Sequence, residues 1–302
     1  MNKDKLVSVI IPLYNHGSYV IETLESIYDS DYTELELLIL DDGSNDNGFD
    51  LATDWLSDHS SRFVRVWSEK QNNSGINATT NKLVNNSKGY YIYLIASDDR
   101  VPCNAITELV LAHEKAFKGK EGLLFYDVTT INENSEIIEK SVSSRIHGSY
   151  LHSMRVDKDI LFMAICFRWE VPFQHQFYSR TFYDKIKGYP EALYFEDVYF
   201  ALVATSTDMA AYVPVIGKEY RLRADRSITP GLKKNDYTAI QSKFAVLPYA
   251  RNMKKIFIIL SVIFEYFGRN GFPRIGGKLS SETFNIYKVI HKNRTIKNMP
   301  ST

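Results

Sequence analysis

Residues 89–99, with the sequence Gly-Tyr-Tyr-Ile-Tyr-Leu-Ile-Ala-Ser-Asp-Asp, decide the fold predicted for this chain. The apolar run from Tyr90 to Ile95 predicts a buried strand, and Asp98 and Asp99 follow it closely. In open α/β folds, ligands bind at the carboxyl ends of the parallel strands. Two adjacent carboxylates repel each other, so the pair indicates a bound cation, and Mg²⁺ favours carboxylate and phosphate oxygens. The alternative is an ordinary turn, since acidic residues also favour a helix start.

Strands and helices alternate on both sides of this stretch. Apolar runs predict strands at residues 7–11, 35–40, 63–67 and 123–128. Segments with helical periodicity separate the strands from residues 7–11 up to the strand at residues 90–95. Ser18 and Asp46 are predicted to cap two of these helices. This alternation predicts an α/β fold whose mostly parallel sheet is flanked by helices, with right-handed crossovers.

Polar, glycine-containing loops follow the predicted strands. They comprise residues 12–17, residues 41–46 and residues 72–75, which open the third crossover. All three are expected at the same sheet edge, where an aspartate can accept from a base N–H and backbone amides can approach a ligand closely. Each loop alone is also typical of ordinary turns. Three such loops beside Asp98 and Asp99 favour a nucleotide site, with Asp41, Asp42 and Gly75 among its residues.

The net charge of zero conceals an uneven distribution. From Arg251 onward the chain has ten Lys or Arg and two Glu, whereas the first 250 residues have 26 Lys or Arg and 34 acidic residues. An apolar run at residues 256–264 is too short to span a bilayer. One interpretation is that this basic tail binds an anionic membrane surface, with Ile256, Phe257 and Leu260 inserted. The other is that it packs on the rest of the chain or forms a dimer contact.

The cysteine content and the N-terminus indicate a cytoplasmic protein. Cys103 and Cys166 are the two cysteines, which is too few for a disulfide framework. The first five residues lead directly into a predicted strand, so no signal peptide is expected.

Three segments together resemble the family 2 glycosyltransferases. They are residues 7–15, residues 40–44 and residues 89–99, and the resemblance extends over about residues 5–230. It implies the GT-A fold and transfer of a sugar from a nucleotide-diphosphate donor with inversion. It also implies that Asp41 binds the donor base, usually uracil, and that a Mn²⁺ or Mg²⁺ ion is held by Asp99. The further donor contacts implied are Pro12, Tyr14 and Asn15 in the nucleoside pocket and Asp98 toward the ribose or sugar.

The second half extends the resemblance. Residues 173–180 resemble the family's loop beneath the acceptor, which makes His175 a candidate contact to the acceptor or the diphosphate. Glu196 and Asp197 resemble the motif that supplies the general base, with Asp197 favoured and Glu196 next. A carboxylate suits this task, because the acceptor hydroxyl must lose a proton as it attacks. The alternatives are a structural histidine and acidic residues that merely favour a helix N-terminus.

The chain departs from the family pattern at two places. Many relatives carry a histidine that completes the metal site, and Arg223 stands where that histidine is expected. Arginine does not ligate metals but pairs with phosphate oxygens, so Arg221 and Arg223 are predicted to contact the diphosphate or the acceptor. A solvated arginine loop is the alternative. The second departure is residues 79–81, Thr-Thr-Asn, where relatives often carry Ala-Arg-Asn.

These features predict three regions: a nucleotide-sugar-binding half at 1–100, an acceptor-binding half at 101–235 and a helical, basic extension at 236–302. The function expected is transfer of a hexose or N-acetylhexosamine from a UDP-sugar to a lipid-linked glycan in bacterial surface polysaccharide synthesis, with no nucleic acid as partner. A sugar-phosphate nucleotidyltransferase is one rival, but residues 12–17 lack the basic, Gly-rich loop it needs. A non-catalytic sugar-nucleotide-binding module is the other.

Overall fold

The structure is a computed structural model that describes residues 5–147, 157–167, 176–193, 196–223 and 238–269. The strands are β1 (Val7–Leu13), β2 (Leu35–Asp41), β3 (Arg65–Lys70), β4 (Tyr91–Leu94), β5 (Leu123–Ile131), β6 (Ile137–Glu139), β7 (Gln176–Ser179) and β8 (Ala210–Arg221). The helices of the first part are α1 (Val20–Tyr28), α2 (Gly48–His59), α3 (Ile76–Asn86), α4 (Ala105–Phe117) and α5 (Val142–His147). The later helices are α6 (Lys158–Phe167), α7 (Arg180–Ile186), α8 (Glu196–Ser206), α9 (Thr238–Val246) and α10 (Asn252–Arg269).

All eight strands belong to one sheet. Its order is β3-β2-β1-β4-β7-β5-β6, and β8 pairs with β5. Strands β1 to β4 are mutually parallel, while β7 runs antiparallel to both β4 and β5. The predicted mostly parallel sheet is therefore correct for the first half, and β7 reverses direction beside β4.

Alternate residues of the central strands face two separate cores. In β2, Leu37 and Ile39 pack on one face of the sheet with residues of α1, α2 and α4. Leu38 and Leu40 pack on the other face with α3 and with the later helices α6, α7 and α8. Burial on both faces is the reason that β1 and β2 have near-continuous apolar sequences.

The predicted strands occur, but three boundary predictions were wrong. Helix α1 begins at Val20 without a side-chain cap, so Ser18 is not its N-cap. Asn47 precedes α2, and Asp46 instead accepts a bond from the backbone N of Gly48 at 3.0 Å. The third strand begins at Arg65, two residues later than predicted. Its residues are half-buried or exposed, so pairing with β2 and not an apolar run sets its bounds.

Part of the tail packs on the sheet domain. Val246 and Ile258 are buried in the same core as α6 and α8. The opposite face of α10 stays exposed and carries Met253, Ile256, Ile259, Ile263 and Tyr266. Within the described ranges, none of the helices has the length and apolar content required to cross a bilayer.

Candidate active site

Four loops meet at the carboxyl edge of the parallel strands. In the sheet register, Leu13 of β1 lies beside Asp41 of β2, and Asp41 lies beside Lys70 of β3. Leu94 at the end of β4 lies beside Ile10 of β1. The segments that follow these strand ends are residues 14–19, 42–47, 71–75 and 95–99. The predicted common edge is therefore formed by these four loops.

The first two loops are tied together by Asn15. Its backbone N donates to Ser44 Oγ at 2.9 Å, and its Oδ1 accepts from the backbone N of Asn45 at 2.8 Å. Its φ of 54° lies in the left-handed region, which asparagine tolerates better than most residues. Pro12 in the same segment is half-buried, and Tyr14, immediately before Asn15, has an exposed ring. Asn15 thus shapes the loop, while Tyr14 is available to a ligand.

Asp41 is buried, whereas the sequence interpretation placed it in an exposed loop. It is the last residue of β2, and its Oδ1 accepts from the backbone N of Ser44 at 3.1 Å and from the Ser44 hydroxyl. Its Oδ2 lies 3.3 Å from Lys70 Nζ and has no hydrogen bond among the described residues. This oxygen is buried next to the Lys70 ammonium, and its contact with a donor base stays a prediction.

Asp42 braces the third loop. Its Oδ1 accepts from Gln71 Nε2 at 2.9 Å and from the backbone N of Ser74 at 2.8 Å, and its Oδ2 accepts from the backbone N of Gly75 at 3.0 Å. Both carboxylate oxygens are therefore used within the protein. The structure gives Asp42 a role in loop conformation, whereas Gly75, with a φ of 83°, is exposed immediately before α3.

Asp99 is enclosed by protein. Its carboxylate is 1% exposed, its Oδ2 lies 2.7 Å from Lys218 Nζ, and its Oδ1 accepts from the backbone N of Arg221 at 2.9 Å. Burial raises the pKa of Asp99, and the adjacent Lys218 ammonium opposes that rise. Asp99 and Lys218 together form a buried ion pair between the end of β4 and strand β8.

Asp98 is the more accessible carboxylate of the pair. Its Oδ1 lies 3.8 Å from His16 Nδ1, and its Oδ2 lies 3.5 Å from Arg223 Nη1. His16 Nδ1 also contacts Ser97 Oγ at 2.8 Å. Burial lowers the pKa of His16, so the ring is neutral at neutral pH. Asp98 therefore links the first loop, the end of β4 and the segment after β8.

The residues present do not fit the divalent metal that the sequence predicts. Both oxygens of Asp99 already have protein partners, and a cation there would lie against the Lys218 ammonium. Among the described residues, no three His, Cys, Asp or Glu side chains converge in a group able to hold a metal ion. In this structure Asp99 is the partner of Lys218, and its role as a metal ligand stays a prediction.

Arg221 also has a structural position rather than the predicted ligand contact. Its guanidinium donates to the Asp98 carbonyl at 2.7 Å, to Glu22 Oε2 at 2.6 Å and to the Asn132 carbonyl at 3.0 Å. The side chain is 1% exposed. It joins β8 to α1 and to the loop after β5, which leaves no donor directed at a ligand. Arg223 remains beside Asp98, with its guanidinium 5.5 Å from the ring of Tyr19.

Asp197 reaches the same edge from the second half of the chain. It lies in the first turn of α8, and its Oδ1 accepts from the backbone N of Val198 at 2.7 Å. Its carbonyl accepts from Gln176 Nε2 at 3.1 Å, and Gln176 begins the strand that pairs with β4. Burial raises the pKa of Asp197 to about 6. The Glu196 side chain and His175 lie outside the described residues, so their predicted roles stay predictions.

Four residues that support this edge were given no individual role from the sequence. Asn77 Nδ2 donates to the carbonyls of Pro190 and Leu193, and Asn81 Nδ2 donates to the Tyr189 carbonyl at 2.8 Å. These bonds attach α3 to the segment that leads toward α8. Lys218 and Gln176 are the other two residues. A lysine within a buried strand signals a carboxylate partner, but the irregular pattern after residue 130 concealed that strand.

Comparison with known proteins gives matches to one family. Residues 8–151 match the family model described as Glycosyl transferase family 2. Glycosyltransferase GlyG of Streptococcus pneumoniae is 34% identical over 105 residues, which are 35% of this chain and 34% of that protein. Chondroitin synthase of Escherichia coli is 36% identical over 101 residues, which are 33% of this chain and 14% of that protein. The match to this chain thus spans about a third of the first relative and less of the second.

The solved structures extend the likeness over most of the chain. The crystal structure of S. aureus TarS 1-349 superposes with a TM-score of 0.62 at 16% sequence identity, covering 88% of this chain and 74% of that one. Crystal structures of the same protein in complex with UDP and with UDP-GlcNAc superpose equally well, with TM-scores of 0.61 and 0.62. This likeness confirms the predicted fold class, including the sheet and its flanking helices.

Proposed function

Residues 8–151 belong to glycosyl transferase family 2, and from that premise we propose that this chain is an inverting glycosyltransferase. Its donor is a UDP-sugar carrying a hexose or an N-acetylhexosamine. Its acceptor is a glycan, lipid-linked during synthesis of a bacterial surface polysaccharide. The location that follows is the cytoplasmic face of the plasma membrane.

The donor class is supported by two independent facts. Structures of TarS, which shares the fold, contain UDP or UDP-GlcNAc. In this chain, Asp41 Oδ2 at the sheet edge accepts no hydrogen bond from the described residues and lies 3.3 Å from Lys70 Nζ, while Tyr14, which directly follows the neighbouring strand β1, has an exposed ring. A uracil base offers an N–H donor to such an oxygen and a flat face to such a ring. The glycan acceptor is supported by the sequence relationship to chondroitin synthase.

The proposed reaction is a direct displacement at the anomeric carbon. The Asp197 carboxylate accepts the proton of the acceptor hydroxyl as the hydroxyl oxygen bonds to the anomeric carbon. The bond between that carbon and the diphosphate oxygen breaks, and UDP leaves with the electron pair. A base works best with a pKa close to the working pH, and the pKa of about 6 at Asp197 suits this task.

One observation carries the proposal. The register of β7 on β4, with the bond from Gln176 to Asp197, brings a high-pKa carboxylate to the strand end that bears Asp98. This supports placing the proposed nucleotide site and the proposed base at the same edge of the sheet.

A donor screen tests this function. UDP-Glc, UDP-Gal, UDP-GlcNAc and UDP-GalNAc are each incubated with the protein and lipid-linked or free oligosaccharides, and UDP release is measured. The expected result is release from one donor, slowed about 10²- to 10⁴-fold in Asp197→Asn and kept in the exposed control Asp184→Asn. Binding of UDP-sugars without transfer to any acceptor identifies a binding module. Formation of a UDP-sugar from UTP and a sugar phosphate identifies the nucleotidyltransferase instead.

The membrane contact is proposed through the exposed face of α10. Phe257 packs against the core and Leu260 is half-buried, so the inserted residues proposed now are Ile256, Ile259 and Ile263. Basic residues from 269 to 297 adjoin this face in sequence, and each contributes about 1 kcal/mol near an anionic surface.

The double variant Ile256→Lys, Ile263→Lys should stay folded, since both side chains are exposed, but should sediment less with phosphatidylglycerol liposomes. Val64→Lys, at another exposed apolar position, is the control. If wild type itself does not sediment at low salt, the membrane proposal is wrong.

A further inference from the structure

The paired carboxylates at the end of β4 already face two cationic side chains. Lys218 Nζ lies 2.7 Å from Asp99 Oδ2, and both residues are buried. Arg223 Nη1 lies 3.5 Å from Asp98 Oδ2. The two negative charges are thus matched by two positive charges from the end of β8 and the residues after it. Their balance within the protein removes the electrostatic reason to bind a cation there.

The Lys218 side chain is held in this position by its surroundings. It extends from β8, which pairs along β5, and it is 7% exposed. A buried ammonium needs a carboxylate partner, because an unpaired buried charge is strongly destabilising. Displacement of Lys218 by a metal ion would leave that ammonium buried without its partner. A metal beside Asp99 is therefore opposed both by repulsion and by the loss of this ion pair.

Arg223 is placed differently. It follows the end of β8, and its guanidinium lies within 5.5 Å of the ring of Tyr19, next to the first loop. Arg223 Nη1 lies 3.5 Å from Asp98 Oδ2, so the guanidinium stands beside the paired aspartates at the carboxyl edge. A guanidinium can bond two phosphate oxygens at once, and its charge does not depend on pH. This group is therefore suited to receive the diphosphate where a metal ion is expected from the family resemblance.

We propose that this chain binds the donor diphosphate through Arg223 without a divalent cation, and that Lys218 keeps Asp99 unavailable to metal. The inference rests on the proposed function, since it concerns the donor of that reaction. During transfer, Arg223 stabilises the negative charge that develops on the leaving diphosphate, while the proton of the acceptor passes to Asp197.

Calorimetric titration of UDP tests the inference without any need for the acceptor. Wild type is titrated once in EDTA and once in millimolar Mn²⁺, and the two dissociation constants are expected to agree within about threefold. Arg223→Gln should weaken UDP binding at least tenfold in both buffers, while Arg223→Lys should retain part of the affinity. Arg100→Gln is the matched control, because Arg100 pairs with Glu22 and Glu219 rather than with the paired aspartates. Its affinity should equal that of wild type.

Two results would overturn the inference. One is UDP affinity in wild type that falls tenfold or more in EDTA and returns with Mn²⁺. The other is unchanged UDP affinity in a folded Arg223→Gln protein. Failure of the proposed function gives a different result: neither UDP nor a UDP-sugar binds wild type in either buffer.

Discussion

Buried carboxylates lie at both ends of the central strands, and they differ in how completely the protein uses them. At the amino end, Glu36 of β2 is fully buried and accepts from Ser8 Oγ at 2.6 Å, from the backbone N of Gly89 at 2.8 Å and from the backbone N of Lys88. Arg65 Nη1 lies 3.0 Å from its other oxygen. Every part of this carboxylate has a partner within the fold.

At the carboxyl end, the carboxylates divide into two kinds. Asp42 and Asp99 resemble Glu36, since both of their oxygens contact protein donors. Asp41 Oδ2 accepts no hydrogen bond from the described residues and lies beside Lys70, and the buried Asp98 lies beside Arg223. Burial of a carboxylate therefore does not separate these two kinds. They differ in the hydrogen bonds that both oxygens accept from described residues: Asp41 Oδ2 accepts none beside Lys70, and the Asp98 oxygens lie 3.8 Å from His16 and 3.5 Å from Arg223.

The largest effect is expected for the proposed base. Asp197→Asn retains the shape of the side chain and removes the proton acceptor, so turnover should fall by about 10²- to 10⁴-fold. UDP affinity should not change, because the carboxylate acts on the acceptor. Nucleotide release and calorimetry measure the two quantities. Turnover close to that of wild type would move the base to another residue, with Glu196 the next candidate.

The amino-end carboxylate should affect stability alone. Glu36→Ala leaves the buried donors of Ser8, Lys88 and Gly89 without their acceptor and removes the partner of Arg65. We expect the free energy of unfolding to fall by about 3–5 kcal/mol, the range for a broken buried pair. Chemical denaturation measures it, and Glu36→Gln provides a milder variant if the alanine protein does not fold. A loss of UDP affinity in the folded variant would contradict the separation of the two ends.

Substitution of Asp41 should lower both the UDP affinity and the stability of the protein, each by a moderate amount. Asp41→Asn can keep the contact to Ser44 but replaces the charged acceptor, so UDP affinity should fall about 10- to 100-fold, the equivalent of one hydrogen bond to a charged group. Because Asp41 is buried, a small loss of stability should accompany it. Calorimetry measures the UDP affinity, and thermal unfolding measures the stability. The comparison variant is Asp42→Asn, since Asp42 braces the third loop. Equal UDP affinity in wild type and Asp41→Asn would exclude Asp41 from the site.

The mildest expectation concerns pH. The reactive form of Asp197 is the carboxylate, and burial raises its pKa to about 6. At pH 7 most of the protein is therefore active, and kcat/KM should fall about tenfold for each pH unit below 6. The residual activity of Asp197→Asn should lack this acidic limb. An identical acidic limb in that variant would assign the titration to a different group.

The sequence predicted the positions of the strand ends better than the roles of the side chains on them. The apolar runs of β1, β2 and β4 are buried on both faces, so local sequence alone located them and their carboxyl ends. The partner of Asp99 could not be predicted in the same way, since Lys218 is 119 residues distant and approaches only through the pairing of β8 with β5. Likewise, Arg221 and Arg223 are alike in sequence, and only the fold directs the first to protein carbonyls and Glu22.

Hydrogen–deuterium exchange of the backbone amides, with and without a saturating UDP-sugar, tests the contrast between the two ends most directly. The ligand should slow exchange in the four loops at the carboxyl edge, residues 14–19, 42–47, 71–75 and 95–99. Exchange around Glu36 and at residues 86–89 should not change. Protection at residues 86–89 with none in the four loops would contradict the account and place the ligand at the opposite end of the sheet.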